Sequence, residues 1–176
     1  MQLIEGLYWL YLNNKSVVKA LSIIGLLFIW CQPIGTTLLF HPERSLQKTL
    51  LISYLILATP VLIYCLYSGN LSVHIAQNGH LAWDWLPENK LVILTYLFFL
   101  CAPIFLDTRN RVISSIKAGL LLASAIISYI TYNKYKTWGS MWCWFVNIAC
   151  IFVVIDIIIS MYWSTHMGSR KYRKVM

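Results

Sequence analysis

The feature that most limits what this chain can become is a series of long, nearly uninterrupted apolar runs. They cover Ala20–Phe40, Thr49–Ser68, Leu91–Leu106, Val112–Tyr132 and Met141–Trp163. A helix needs about 20 predominantly apolar residues to cross the hydrocarbon of a bilayer, with ~17–25 tolerated. Four of the runs meet that length. The third is short but can borrow Asn89 and Lys90, whose side chains reach back to the interface. Backbone amides in lipid must be paired internally, so such runs fold as helices. The expected fold class is all-α: a polytopic transmembrane helical bundle of about five spans, forming a single domain over residues 1–176.

Composition excludes the soluble alternative. Charged residues make up 11% of the 176 and hydrophobic residues 59%, whereas a soluble domain carries about 25% charged residues to cover its surface. The net charge of +8 comes from 14 Lys and Arg against 6 Asp and Glu. In a membrane protein that excess is expected, because cytoplasmic loops retain Lys and Arg and face anionic membrane lipids. No basic helix or aromatic-basic platform points to a nucleic-acid partner. The cysteines, Cys31, Cys65, Cys101, Cys143 and Cys150, all fall inside apolar runs without a CxxC pair. They read as packing residues, not as a disulfide framework or metal site.

Orientation follows from the placement of cations. With five spans, one side of the membrane holds Arg44, Lys48, Arg109, Arg111 and the basic tail 164–176 with Arg170, Lys171, Arg173 and Lys174. The other side holds Lys15, Lys19, Lys90, Lys134 and Lys136. The richer side is the cytoplasmic one, so the C-terminus is expected in the cytoplasm.

Two segments lie outside the runs. Met1–Leu12 is apolar but short, interrupted by Glu5 and Gly6, and lacks a signal-peptide pattern. It is expected to form an interfacial helix along the membrane surface, with Trp9 and the tyrosines at headgroup level; a sixth, distorted span is the alternative. The loop 69–90 contains Asn78-Gly79 between two alternating segments, a hairpin signal of the type I′ kind. Pairing outward from that turn sets Gln77 opposite His80, Ile75 opposite Ala82 and His74 opposite Trp83. One face would then carry His74, Leu81, Trp83 and Trp85, making a small extracytoplasmic β-hairpin that rests on the membrane or caps the bundle.

Few polar residues enter the runs, and each needs a reason. Asp156 lies deep in the fifth run, where an unpaired carboxylate is costly. If the last two runs form an antiparallel helical hairpin turning between Tyr132 and Met141, the residue level with Asp156 is Lys117. A Lys117–Asp156 intramembrane pair is therefore expected, as a structural clasp or, on the functional reading, as a proton or ion relay. Pro33, Pro60 and Pro103 each remove a helix hydrogen bond. Gln32 and Thr36, with Thr37, make a polar spot at the Pro33 kink, suited to the carbonyl that the ring frees. Ser115, Gly119 and Ala123 form a small-residue stripe that would let a neighbouring helix, or a second copy, approach closely.

Catalytic signatures are missing: there is no GxSxG, HExxH or P-loop, and no paired carboxylates on one helix. All four histidines, His41, His74, His80 and His166, lie outside the runs, which disfavours a bis-histidine haem. No cofactor, metal or catalytic residue is assigned.

The segment Gly139–Ile151, GSMWCWFVNIACI, resembles the last helix of an uncharacterised bacterial family of multi-span membrane proteins, in which Ser-Leu/Met-Trp-Cys-Phe/Trp recurs. The hairpin-like loop and the basic turn DTRNR are similar too. The resemblance implies a helical bundle in a bacterial inner membrane; the family has no established activity to carry over. The leading functional expectation is a non-catalytic subunit or scaffold in a membrane assembly, with a protein partner or homo-oligomer. The alternative is a transporter or ligand-binding membrane protein using the Lys117–Asp156 pair. A third, weaker reading is a lipid-modifying enzyme using His41, Glu43 or His166 at the cytoplasmic edge.

Overall fold

The computed structural model describes residues 1–40, 43–68, 70–107 and 111–146. Its helices are α1 (Gln2–Tyr11), α2 (Lys15–Leu39), α3 (Arg44–Ser68), α4 (Lys90–Phe105) and α5 (Arg111–Tyr132), followed by a 3₁₀ turn, Asn133–Tyr135. Residues 138–146 form a further helix, α6. Strands β1 (Val73–Ile75) and β2 (Leu81–Trp83) form an antiparallel pair between α3 and α4. Three helices, α2, α3 and α5 with its 3₁₀ extension, are long and apolar enough to cross a membrane. Helix α4, with 16 residues, is apolar but shorter.

Local chemistry sets the helix boundaries. Asn14 caps α2, its side chain accepting from the Val17 amide at 3.2 Å, so α2 begins at Lys15, five residues ahead of the apolar run. Asn89 caps α4 in the same way, accepting from the Leu91 amide at 2.9 Å. Each cap satisfies one of the amide donors that a helix start leaves unpaired. The three prolines lie inside α2, α3 and α4 and do not end them. Many large apolar side chains point outward, among them Phe28, Ile56, Ile63, Leu94, Leu120 and Ile127. Such a surface suits lipid, which hydrates nothing and charges nothing for exposing leucine.

The hairpin differs from its expected register. Val73 pairs with Trp83, His74 with Ala82, and Ile75 with Leu81. Gly79 has φ +76°, whereas Asn78 keeps a negative φ. The Gly79 amide donates to the Ala76 carbonyl at 2.9 Å and the Ala76 amide to the His80 carbonyl at 2.8 Å. The loop is thus three residues long, with glycine supplying the one left-handed position, rather than a two-residue type I′ turn with two. That slip of one residue moves β1 to the other face. His74 therefore shares a face with Ala82, while Val73, Leu81 and Trp83 face the bundle, all buried.

The hairpin caps the end where α1, the start of α2 and the α5–α6 turn meet. One core cluster joins Tyr8 of α1, Val18 and Leu21 of α2, Cys65 of α3, and Val73, Leu81, Trp83 and Trp85 of the hairpin segment. Trp83 and Trp85 stack with ring centroids 5.2 Å apart and planes within 6°. Two glycines make this approach possible. A Cβ on Gly25 would lie 3.3 Å from the Trp85 ring; one on Gly139 would lie 2.7 Å from Leu86 Cδ2 and 3.4 Å from the Trp83 ring. Asn78 at the hairpin tip donates to Thr137 Oγ1 at 2.8 Å, and Lys136 meets Glu88 at 2.6 Å.

Helix α1 folds back on the bundle with Ile4, Glu5 and Tyr8 buried, and the Tyr8 hydroxyl donates to Ser22 Oγ at 2.9 Å. Tyr8 has no exposed surface, while Trp9 and Tyr11 stay about half exposed.

Replacing Gly139 by Leu should force Leu86 and Trp83 off α6. Overpacking of this kind costs about 1–3 kcal/mol, so the melting temperature in detergent should fall by several degrees. An unchanged melting temperature would mean that the hairpin does not seat here.

Candidate functional site

Below the cap, α2, α3, α4 and α6 do not close completely. A cavity of about 230 Å³ lies between them. Its wall is apolar, with Leu26, Leu57, Val61, Leu62, Ile93 and Trp142 among its residues, and no charged side chain reaches it among the described residues. The cap end is formed by Trp83, Leu86, Pro87, Trp138 and Gly139; the far end by Trp30, Gln32 and Tyr54.

The polar groups on the wall are mostly occupied. The Tyr54 hydroxyl donates to the Trp30 carbonyl at 2.7 Å, tying α3 to α2. The Tyr96 hydroxyl donates to Gln32 Oε1, tying α4 to α2. Trp30 and Trp83 differ: their indole Nε1 atoms are buried and have no acceptor among the described residues. Buried tryptophan N–H groups ordinarily find a partner.

Thr36 and Thr37 do not serve the carbonyl that Pro33 frees one turn earlier. Both hydroxyls donate to the carbonyl of Pro33 itself, at 3.0 and 2.7 Å. Gln32 faces Tyr96 instead, at the rim of the cavity. Of the stripe on α5, Ser115 is half-buried, and Gly119 and Ala123 are exposed. A Cβ on Gly119 would meet nothing within 4 Å. The face that α5 buries is one residue over, at Ser114, Ala118, Ala125 and Ser128. Lys117 is half-buried, with no ion-pair partner among the described residues. Asp156, His41, His166 and the tail lie outside the described residues.

Glu5 was read from the sequence only as an interruption; in the fold it sits at the centre of the cap. It is buried and accepts a hydrogen bond from Ser140 at the start of α6. Burial pushes its carboxyl above the usual Glu range; the Ser140 hydroxyl and the N-terminal ammonium pull more weakly the other way. A lone Glu in a short apolar segment carries no signal of its depth, which is why sequence reasoning missed it.

The exposed face of the hairpin holds a third polar group. Asp84 Oδ2 accepts from Ser72 Oγ at 2.6 Å and lies 3.1 Å from His74 Nδ1. Nucleophilic catalysis would need the imidazole against the serine hydroxyl. Here the carboxylate takes both, so the group braces β1 against the chain after β2. Among the described residues, no cluster of three or more His, Cys, Asp or Glu is placed to hold a metal.

The Glu5 environment gives a pH prediction. A carboxyl whose folded pKa is raised binds its proton more tightly in the folded state. Its stabilising effect is complete below the unfolded value and is lost as pH rises through the folded one. The wild-type melting temperature should fall as pH rises above the unfolded carboxyl value of 4.5, and Glu5→Gln should remove that slope. A parallel fall in both proteins would place the titrating group elsewhere.

No protein-family model matches this chain, and neither a curated protein nor a solved structure is significantly similar to it.

Proposed function

We propose that this chain is an integral membrane protein that takes an uncharged, apolar molecule from the bilayer into the cavity beneath its hairpin. The observation that carries this reading is the cavity itself: apolar, free of charged groups among the described residues, and walled by four helices and the cap. Pockets that hold small molecules are mostly apolar with a few placed polar groups. Of the expectations drawn from the sequence, this favours the ligand-binding protein over a scaffold subunit. It also moves the site away from Lys117, which is not on the wall.

The reading includes a topology. The five apolar runs serve as spans, with the N-terminal helix and hairpin on the outer face of a bacterial inner membrane and the C-terminus in the cytoplasm. The distribution of Lys and Arg supports that orientation.

Two experiments test the proposal. Native mass spectrometry of gently solubilised protein should show a discrete adduct of lipid size. Ala58→Trp, which fills the cavity wall, should lower its occupancy by at least about tenfold while the protein still melts cooperatively. A wild-type protein that is bare, or an adduct indifferent to Ala58→Trp, would end the ligand reading. For topology, a membrane-impermeant maleimide should label Gln77→Cys, at the hairpin tip, in intact cells or spheroplasts, and Ser45→Cys only after permeabilisation. The reverse pattern would invert the orientation.

A further inference from the structure

We infer that residues 147–156 carry α6 onward along α5 and bring the Asp156 carboxylate to Arg111, at the first turn of α5, rather than to Lys117. The inference concerns a different face of the bundle from the cavity and stands independently of the ligand reading.

The first observation is the register of the two helices. The chain turns back through the 3₁₀ segment, and α6 begins at residue 138, three residues before the apolar run that opens at Met141. The Ser128 hydroxyl donates to the Trp138 carbonyl at 2.7 Å, and the Trp142 indole donates to the Ser124 hydroxyl at 3.1 Å. Four residues gained on α6 are therefore four given up on α5, as antiparallel helices of equal rise require. Leu121 and Val146 pack on the same cluster one turn further on. Carried on at that rate, Ala149 comes level with Lys117, Phe152 with Ser114, and Asp156 with the Arg111 end of α5. Setting Asp156 level with Lys117 would need α6 to slip by about two turns from its observed contacts.

The second observation is the match of side-chain sizes. Ser114 and Ala118 of α5 are buried, and Lys117 beside them is half-buried. Between residues 146 and 159 the smallest side chains are Ala149 and Cys150. The observed register delivers these two to the level of Lys117, where a long stem needs room. It delivers Ile148 and Phe152 to Ala118 and Ser114, where α5 is thinnest. Large against small is how membrane helices come close.

The third is charge. A carboxylate in hydrocarbon is costly unless it is paired. Arg111 is exposed at the start of α5. Its guanidinium stays charged and can hold a carboxylate through two hydrogen bonds, and the positive end of the α5 dipole adds to the attraction. Lys117 stands about 9 Å from Arg111 along the axis. With Asp156 at Arg111, a proton relay through Lys117 has no second member, and the carboxylate serves as a clasp between the two helices.

The test is disulfide trapping in the full chain, with the native cysteines replaced by alanine. Ser114→Cys is combined in turn with Phe152→Cys and with Ile159→Cys, two positions separated by two helical turns, and oxidised by copper phenanthroline in membranes. The Phe152→Cys pair should close, read as loss of two maleimide-polyethylene glycol additions that reduction restores; the Ile159→Cys pair should stay open. Ser124→Cys with Trp142→Cys, a contact already seen, reports that this background folds. A disulfide through Ile159→Cys, or none through either partner while the reporter pair closes, would overturn the inference. The charge pair is read separately with the native cysteines in place, so a folding defect in the cysteine-free protein does not blunt it. Arg111→Asp and Asp156→Arg should each lower the melting temperature by about 2–4 °C, and the double variant should recover at least about half of the combined loss. Lys117→Asp with Asp156→Arg should lose the sum of the two single effects. Additive losses with Arg111→Asp, or recovery with Lys117→Asp, would equally overturn it.

Discussion

The structure depends on the seating of one short hairpin across the end of a helical bundle. Inside a bilayer, apolar side chains gain little by leaving lipid for one another, so helices are held by close packing and by polar ties. Here the close packing is concentrated where two glycines meet two tryptophans. Gly25 of α2 receives Trp85; Gly139 of α6 receives Trp83 together with Leu86. A Cβ at Gly139 would require Leu86 to shift, and one at Gly25 would press on the Trp85 ring. Helices α3 and α4 are linked in the chain by this segment and meet directly at Tyr54 and Phe99, whose ring centroids lie 5.4 Å apart. The cavity lies beneath the hairpin.

The polar ties repeat a common pattern: a hydroxyl or indole on one helix reaches a neighbour where the packing leaves room. Tyr54 and Tyr96 fasten α3 and α4 to α2, while Ser128 donates to the Trp138 carbonyl at 2.7 Å and Trp142 to Ser124 at 3.1 Å, closing α5 on α6. Tyr8 and Glu5 fasten α1 to α2 and α6. The ties of α1 differ in kind, because Glu5 is the one carboxyl in this group. Burial raises its pKa, against the weaker opposing pull of the Ser140 hydroxyl.

Much of this architecture was legible in the sequence, and the rest was hidden for physical reasons. Apolar runs of near-membrane length identify helices because lipid permits few alternatives, and Asn78-Gly79 located the hairpin. Its register was not legible. The dipeptide fits both a two-residue loop and a three-residue loop with one left-handed glycine, and the two differ by one residue and hence by a face. Helix α2 reaches back to Lys15 because Asn14 caps it there, a preference that hydropathy cannot detect. Among the described residues α5 buries the row through Ser114, Ala118 and Ala125, next to the stripe Ser115, Gly119, Ala123. Nothing in the sequence marked Trp83 or Trp30 as donors without partners, since that property belongs to the arrangement and not to the residue.

An apolar cavity has a different meaning in a membrane than in water. In a soluble protein it is a void whose walls forfeit dispersion contacts, and it stays dry unless a ligand fills it. Beside a bilayer, acyl chains can enter any lateral gap at little cost, so an apolar lining by itself does not separate a binding site from the ordinary lipid surround. The separation comes from groups that hydrocarbon cannot satisfy. Phenylalanine in place of Trp30 and Trp83 would line the same space and leave no N–H unpaired. The chain instead buries indole at both ends of the cavity, with the nearby tyrosine hydroxyls already engaged. Burying those nitrogens without a partner among the described residues carries a cost that phenylalanine would avoid.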